Sequence, residues 1–240
     1  EDGTRNDRAT VLRFPHRRME DRLQLLGFRR ADGRAGFRNH VLVIPLTGCQ
    51  AEIGRRIADR VPGAICLAHP NGCDLQGRDF ELFGVILEHL ATHPNVGGVL
   101  FLTMGCAAPL SLHLPRKTRE SGRLVETLNT QAAGTSATVD AGVGVVQDMI
   151  AELAGMQREP APLSALTVGL KCGASDRNTF TTAHPVVGLA CDILVANGAT
   201  VVLSEDCELV GSAAILAGRA AAPDIASKIL GMADGVNAGW

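Results

Sequence analysis

Four separate stretches of the chain run apolar and β-rich and then stop on a glycine–cysteine corner. They are VLVIPLTGC ending at Cys49, AICLAHPNGC at Cys73, VLFLTMGC at Cys106 and LTVGLKCG around Cys172. Between them lie segments with apolar residues at three- and four-residue spacing, as in Phe80, Phe83, Ile86, Leu87 and Leu90, the period of a half-buried helix. Alternation of strand and helix needs right-handed crossovers and builds a parallel sheet. In such a sheet the strand C-termini line one rim, where ligands bind. The four thiols are therefore expected on that rim.

The pattern places strands near 40–47, 63–68, 97–103 and 124–129, with helices near 50–61, 79–92 and 110–121 and an amphipathic run over 137–155. MQREPAPLS, with Pro160 and Pro162, breaks the alternation. A second set follows: a strand at 165–170, a loop from Lys171 to Thr182, a helix at 185–197, a strand at 199–204 and alanine-rich helices to the end. The fold class expected is α/β, a predominantly parallel sheet with flanking helices in two Rossmann-like lobes that meet at their strand rims. Residues 1–26 form a linker or arm with a short helical turn at MEDRLQLL, 27–155 the first lobe and 160–240 the second. Two strands make a poor independent sheet, so the second lobe either joins the first sheet or is incomplete.

Charge and cysteine content narrow the function classes. A formal net charge of −2 provides no field for nucleic acid or an anionic membrane. Ten of the twenty arginines lie between Arg5 and Arg38, but acids are interleaved and aromatics are few, so a solvated arm is expected there. No run approaches the roughly 18 apolar residues of a membrane span, and no signal peptide opens the chain. Seven cysteines without a small-scaffold spacing point to a reducing, cytoplasmic setting and to metal or redox use. Cys66, Cys191 and Cys207 lack the corner and are read as core or incidental. No GxGxxG follows the first strand and no P-loop lysine motif is present, against a nucleotide-binding domain.

GFRRADGRAGFRNHVLVIP, the NGC and MGC corners, LNTQAAGTSATVDAG and LKCGASDRNTFTTAHPVVGLACDILVANGATVVLSE together resemble the altronate/galactarate dehydratase family of hydro-lyases, which includes sulfolactate sulfo-lyase. The likeness spans roughly residues 27–220. It implies an iron-dependent dehydratase that removes a β-hydroxyl and a proton α to a carboxylate of a sugar acid. It also implies a small N-terminal module, carried as a domain or as a separate subunit, that is expected to be missing here along with a glycine- and asparagine-rich C-terminal continuation. The chain departs from the family pattern at three places. His69-Pro70-Asn71-Gly72-Cys73 stands for His-Gly-Thr-Gly-Cys, Lys171-Cys172-Gly173-Ala174-Ser175-Asp176 for Gln-Cys-Gly-Gly-Ser-Asp, and Gly211-Ser212-Ala213-Ala214 for a Gly-Ala-Glu-His corner.

Eliminating water from a sugar acid must overcome a weakly acidic α-proton and a poor leaving group, and a metal eases both as a Lewis acid. Cys73, Cys106 and Cys172, with Cys49 as a fourth, are the candidate ligands for iron. Either a single Fe2+ or an iron–sulfur cluster satisfies the residues, and each thiol alone also suits a buried core position. His69 is a candidate base or ligand, unless it is hydrogen-bonded within its own turn. Lys171 is a candidate base if desolvated, or a neighbour that activates Cys172. Arg38 and Asn39 offer a fork and an amide to a carboxylate. Thr135 and Ser136 open a helix whose N–H groups favour an anion, or cap it. Ser175, Asp176 and Glu205 are candidates for hydroxyl or ligand orientation. A small hydroxy-acid substrate, a separate small subunit and a homo-oligomer are the expected partners. A sulfo-lyase differs from this reading by its leaving group, and a non-catalytic binding relative by lacking turnover.

Overall fold

The computed structural model describes residues 25–72, 74–209 and 211–238. The chain divides into two compact units, Gln24–Ala161 and Pro162 onward. In the first unit β3 (His40–Pro45), β4 (Ala64–Cys66), β5 (Val96–Thr103) and β6 (Leu124–Asn129) form one sheet in the order β4-β3-β5-β6. Every pairing in it is parallel. The central strands are apolar almost throughout: seven of the eight residues of β5 are buried, as expected where helices cover both faces.

Alternation along these strands sorts the core into two layers. Leu42, Ile44, Val99 and Phe101 face α2 (Gly77–Ala91) and α3 (Ala108–Glu120), meeting Phe83, Leu87, Leu110 and Leu114. Val41, Val43, Leu100 and Leu102 face the other way, toward Ile57 of α1 (Ala51–Asp59) and Val139, Val146, Met149 and Leu153 of α4 (Thr135–Ala154). The chain leaves β3 for β4 through α1, then returns past β3 through α2 to β5. The connections from β3 and β5 thus diverge to opposite faces, which makes the C-terminal ends of these neighbouring strands the switch point of the sheet.

The predicted elements fall within a few residues of those found. A second, antiparallel sheet was not anticipated: β1 (Leu25–Arg29) pairs with β2 (Ala35–Gly36) and with β7 (Glu159–Ala161). Leu25 and Leu26, expected to end a helical turn, begin this strand, and the rest of MEDRLQLL lies outside the described residues. Pro160 reads as a breaker but is accommodated because β7 is an edge strand. The end of the arginine-rich stretch is also not a solvated arm. Arg30 is buried, its Nε donating to the Pro94 carbonyl (2.7 Å) and its Nη2 to Asn39 Oδ1 (2.9 Å). Arg123, whose side chain is fully buried, donates to Asp32 Oδ2 (2.8 Å) and to the Thr92 carbonyl (2.9 Å). Burial alone would raise the Asp32 pKa, but hydrogen bonds from Arg34 and Arg123 outweigh it and hold the carboxyl well below the usual carboxylate range.

The second unit carries a parallel pair, β8 (Thr167–Leu170) and β9 (Thr200–Leu203), with Leu170 opposite Leu203. Helices α5 (His184–Ala196), α6 (Ala213–Ala217) and α7 (Pro223–Ala238) accompany it. Its described buried apolar residues are small: Ala199, Ala213 and Ala233. The loop expected to reach Thr182 is shorter than predicted, since helical backbone begins at Arg177 and runs through a wide turn, Thr179–Ala183, into α5. Thr179–Ala196 is long and apolar enough, by length and composition alone, to cross a membrane. Thr181, Thr182, His184 and Asp192 interrupt it in sequence and hid that length.

Candidate active site

At the switch point each strand ends in a tight turn. Cys49 lies in the turn Gly48–Gln50 after β3 and Cys106 in the turn Gly105–Ala107 after β5, and both thiols are exposed and unpaired. Glycine precedes Cys49 for a packing reason. The Gly48 N–H donates to the Asn71 carbonyl (2.6 Å), and a Cβ on Gly48 would stand 2.4 Å from the Pro70 carbonyl oxygen. The turn after β4 is therefore laid against the turn after β3. Cys73, which follows Gly72 in sequence, lies outside the described residues.

His69 anchors the same turn. Its Nε2 is 2.7 Å from the Pro45 carbonyl, and its ring meets Phe83 edge-on with centroids 4.9 Å apart. A carbonyl only accepts, so Nε2 carries a proton, and in the neutral ring Nδ1 is then the lone pair. That atom is buried without a hydrogen-bond partner.

Beneath the turns runs a polar chain that the sequence reading overlooked. Thr47 Oγ1 lies 3.2 Å from both Gln50 Oε1 and Met104 Sδ, and Gln50 Nε2 donates to Thr130 Oγ1 (3.0 Å). The Gly105 N–H donates to Gln131 Oε1 (3.3 Å). The ends of β3, β5 and β6 are stitched together by these bonds. The available signal was the clustering of small polar residues immediately after strands, in TGCQ and NTQ.

Arg38 and Asn39 are not part of this rim, contrary to expectation. They precede β3, whose first residue pairs with the first residue of β5, so they stand at the N-terminal edge of the sheet. Six strand residues at about 3.3 Å each put roughly 20 Å between them and Cys49. Arg38 donates to its neighbour's carbonyl at Phe37 (3.0 Å), while Asn39 serves Arg30. Position beside a strand in sequence had suggested a site residue; strand direction decides otherwise.

Thr135 and Ser136 do open a helix on the rim side, following the end of β6. Gly134 occupies the N-cap with no side chain to cap the helix. An open cleft of about 490 Å³ there is lined by Arg56, Asp59, Arg60, Thr135, Ser136 and Val139, with Arg56 paired to Glu52 and Arg60 to Asp140.

The second unit has its own rim. Lys171 and Cys172 follow β8, Glu205 follows β9, and the Glu205 carboxylate pairs with Lys171 Nζ and accepts the Cys172 N–H (2.9 Å). Hydrogen bonding to Glu205 is the main reason the Lys171 pKa is raised, and the same bond lowers that of Glu205. A lysine base needs the opposite shift and a desolvated setting, whereas the Lys171 side chain is exposed and its pairing with Glu205 favours the charged form. Glu205 holds a left-handed backbone (φ 69°), alone among the described non-glycine residues, and its carbonyl accepts Glu208 N–H (2.9 Å) in the turn carrying Cys207. Asp176 does not reach outward. Its carboxylate accepts the N–H groups of Asn178 (2.8 Å) and Thr179 (3.0 Å) and the Thr179 hydroxyl (2.9 Å), capping the helix that follows. Ser175 is exposed beside it. Among the described residues no three His, Cys, Asp or Glu side chains converge as a metal cage.

Residues 27–154 match the family model described as D-galactarate dehydratase/altronate hydrolase, second domain, and residues 163–239 match the D-galactarate/altronate dehydratase C-terminal model. The chain is 34% identical over 214 residues to the altronate dehydratase of Bacillus subtilis (strain 168), covering 85% of this chain and 43% of that protein. It is 32% identical over 209 residues to (2R)-sulfolactate sulfo-lyase subunit beta of Chromohalobacter salexigens, covering 87% and 53% respectively. With the altronate dehydratase of Escherichia coli (strain K12) it shares 29% identity over 208 residues, 79% of this chain and 40% of that one. The chain thus spans about half or less of the length of these relatives. With two family models matching in succession along a thiol-edged parallel sheet and its companion unit, the chain is a member of the D-galactarate/altronate dehydratase family.

Proposed function

We propose that the chain acts within a hydro-lyase that takes water from a sugar acid or related hydroxy acid, by loss of an α-proton and a β-hydroxyl. The observation that carries this reading is the coincidence of the family match over residues 27–154 with the thiol-bearing turns of Cys49 and Cys106 at the sheet's switch point. The donors present are of the kind iron accepts: two exposed thiols on neighbouring strand ends. Cys49, Cys106 and Cys73 would hold it, and bound iron would supply Lewis-acid polarisation of the substrate carboxylate and hydroxyl.

The chain's own groups have separable tasks in this proposal. His69, its orientation set by the Nε2–H bond to Pro45, offers Nδ1 to a proton. The uncapped first turn of α4, with Thr135 and Ser136, offers N–H and hydroxyl donors to a carboxylate. In the second unit Lys171, kept charged by Glu205, attracts an anion and does not take a proton. A separate small subunit is proposed as partner, in keeping with the subunit beta name of one relative. The same relative motivates a second reading, sulfo-lyase action on a sulfonated hydroxy acid, with sulfite in place of hydroxide as leaving group.

Anaerobic reconstitution with iron, metal and sulfide analysis, and assay against aldonic, aldaric and sulfonated hydroxy acids test both readings. Release of a 2-keto acid without sulfite supports the hydro-lyase, and sulfite release supports the second reading. Stoichiometric binding of an acid without turnover, in the presence of the small subunit, would replace both with a binding role.

A further inference from the structure

Cys207 carries no corner signature in the sequence, yet the fold delivers it to the rim where Cys172 stands. Strands β8 and β9 are hydrogen-bonded neighbours in register, Leu170 beside Leu203, about 4.8 Å apart. Two residues past Leu170 comes Cys172, its N–H held by the Glu205 carboxylate. After β9 the left-handed backbone at Glu205 turns the chain at once into the short helical turn Asp206–Leu209, so Cys207 follows Glu205 by two residues. One carboxylate thus holds the Cys172 backbone and begins the turn that carries Cys207, the Cys172 thiol lies 3.6 Å from the Ala174 carbonyl, and the Lys171 ammonium that pairs with this carboxylate interacts electrostatically with both cysteines. Both are free, Cys207 exposed and Cys172 partly so. Among the described residues Cys172, Cys207 and Glu205 do not come together as a metal cage.

We propose that Cys172 and Cys207 are a peroxide-reactive dithiol pair that closes reversibly into a disulfide across the end of the β8–β9 pair. Attack of the Cys172 sulfur on hydrogen peroxide breaks the O–O bond, forms a sulfenic acid and releases hydroxide. Attack of the Cys207 sulfur on that sulfenic sulfur forms the S–S bond and expels the oxygen as water. In total two thiols and one peroxide give one disulfide and two waters, the thiols losing two electrons and two protons. A disulfide spans Cα atoms about 4.4–6.8 Å apart, a reach comparable with the spacing of neighbouring strands such as β8 and β9. Closure would cross-link the loops that hold the Lys171–Glu205 pair, and a thiol reductant would reverse it.

The test treats the full 240-residue chain with hydrogen peroxide, traps residual thiols and maps cross-linked peptides by mass spectrometry. The expected result is a Cys172–Cys207 peptide that disappears on reduction and in both Cys172→Ser and Cys207→Ser. In Cys207→Ser a trappable sulfenic acid should persist at Cys172. Pairing of Cys172 with any other cysteine, equal loss of the thiols at Cys191 and Cys207, or no Cys172–Cys207 peptide at full oxidation of the exposed thiols would overturn the proposal. The readout is covalent and independent of any lyase activity.

Discussion

Residues 25–161 completely bury Phe101, Ile44, Leu46, Ile57 and Leu100, whereas the described part of the second unit encloses only alanines and leaves Val186, Leu203 and Ile215 in solvent. Both regions alternate strand and helix, and both end their strands on reactive groups. They differ in strand number. Four parallel strands with helices on each face enclose two apolar layers, while two strands offer no interior for a large side chain. The first rim rests on a rigid core and a buried polar chain. The second is held by an exposed ion pair, a helix cap and one strained turn.

Substitution of a large apolar strand residue in each unit attacks this contrast most directly. Phe101→Ala should cost about 3–5 kcal/mol in denaturant unfolding, from lost burial and the cavity left behind. Leu203→Ala, at a side chain 58% exposed, should change stability by less than about 0.5 kcal/mol. Equal costs would erase the distinction between the two units.

Next in size is the charge cluster around the buried Arg123 at the base of the first sheet. Asp32→Ala strands the fully buried Arg123 side chain and should cost about 3 kcal/mol. Because the Asp32 pKa is depressed in the folded state, its contribution is fully present above the unfolded value of about 3.9. It is lost as pH falls through the lower folded value. Unfolding curves between neutral pH and strong acid should therefore show a steeper acid loss for the parent than for the variant. Parallel profiles would remove Asp32 from the account.

At the rim, Gly48→Ala drives a Cβ to 2.4 Å from the Pro70 oxygen and should cost about 1–3 kcal/mol, as overpacking does. A higher thiol reactivity at Cys49, measured by alkylation, should accompany it as the two turns part. The smallest effect is expected in the second unit. Asp176→Ala should speed hydrogen exchange at the Asn178 and Thr179 amides that it caps and leave the first unit's unfolding transition unchanged.

Much of the fold was legible because parallel strands and amphipathic helices carry their periods in the chain: β6 was placed at 124–129 and is found there. The antiparallel β1–β7 pair was not, since its partners are about 130 residues apart and Pro160 marks a break by every local rule. Asp176 shows the same limit in the site. A carboxylate three residues before a threonine signals a helix cap as well as a ligand, and hydrogen-bond geometry selects the cap.

By itself the sequence determined the α/β class, the parallel connectivity and the family, because these rest on residue periodicity and on motifs contiguous in the chain. Only the tertiary structure decided which ends of the strands the candidates occupy. Strand direction sent Arg38 and Asn39 to the far edge, a buried polar chain tied Thr47 to Gln50 and Thr130, and the left-handed backbone at Glu205 turned the chain from β9 into the short helical turn that carries Cys207. Each of these depends on contacts between segments distant in sequence, and such contacts exist only once the apolar layers have fixed how the elements pack.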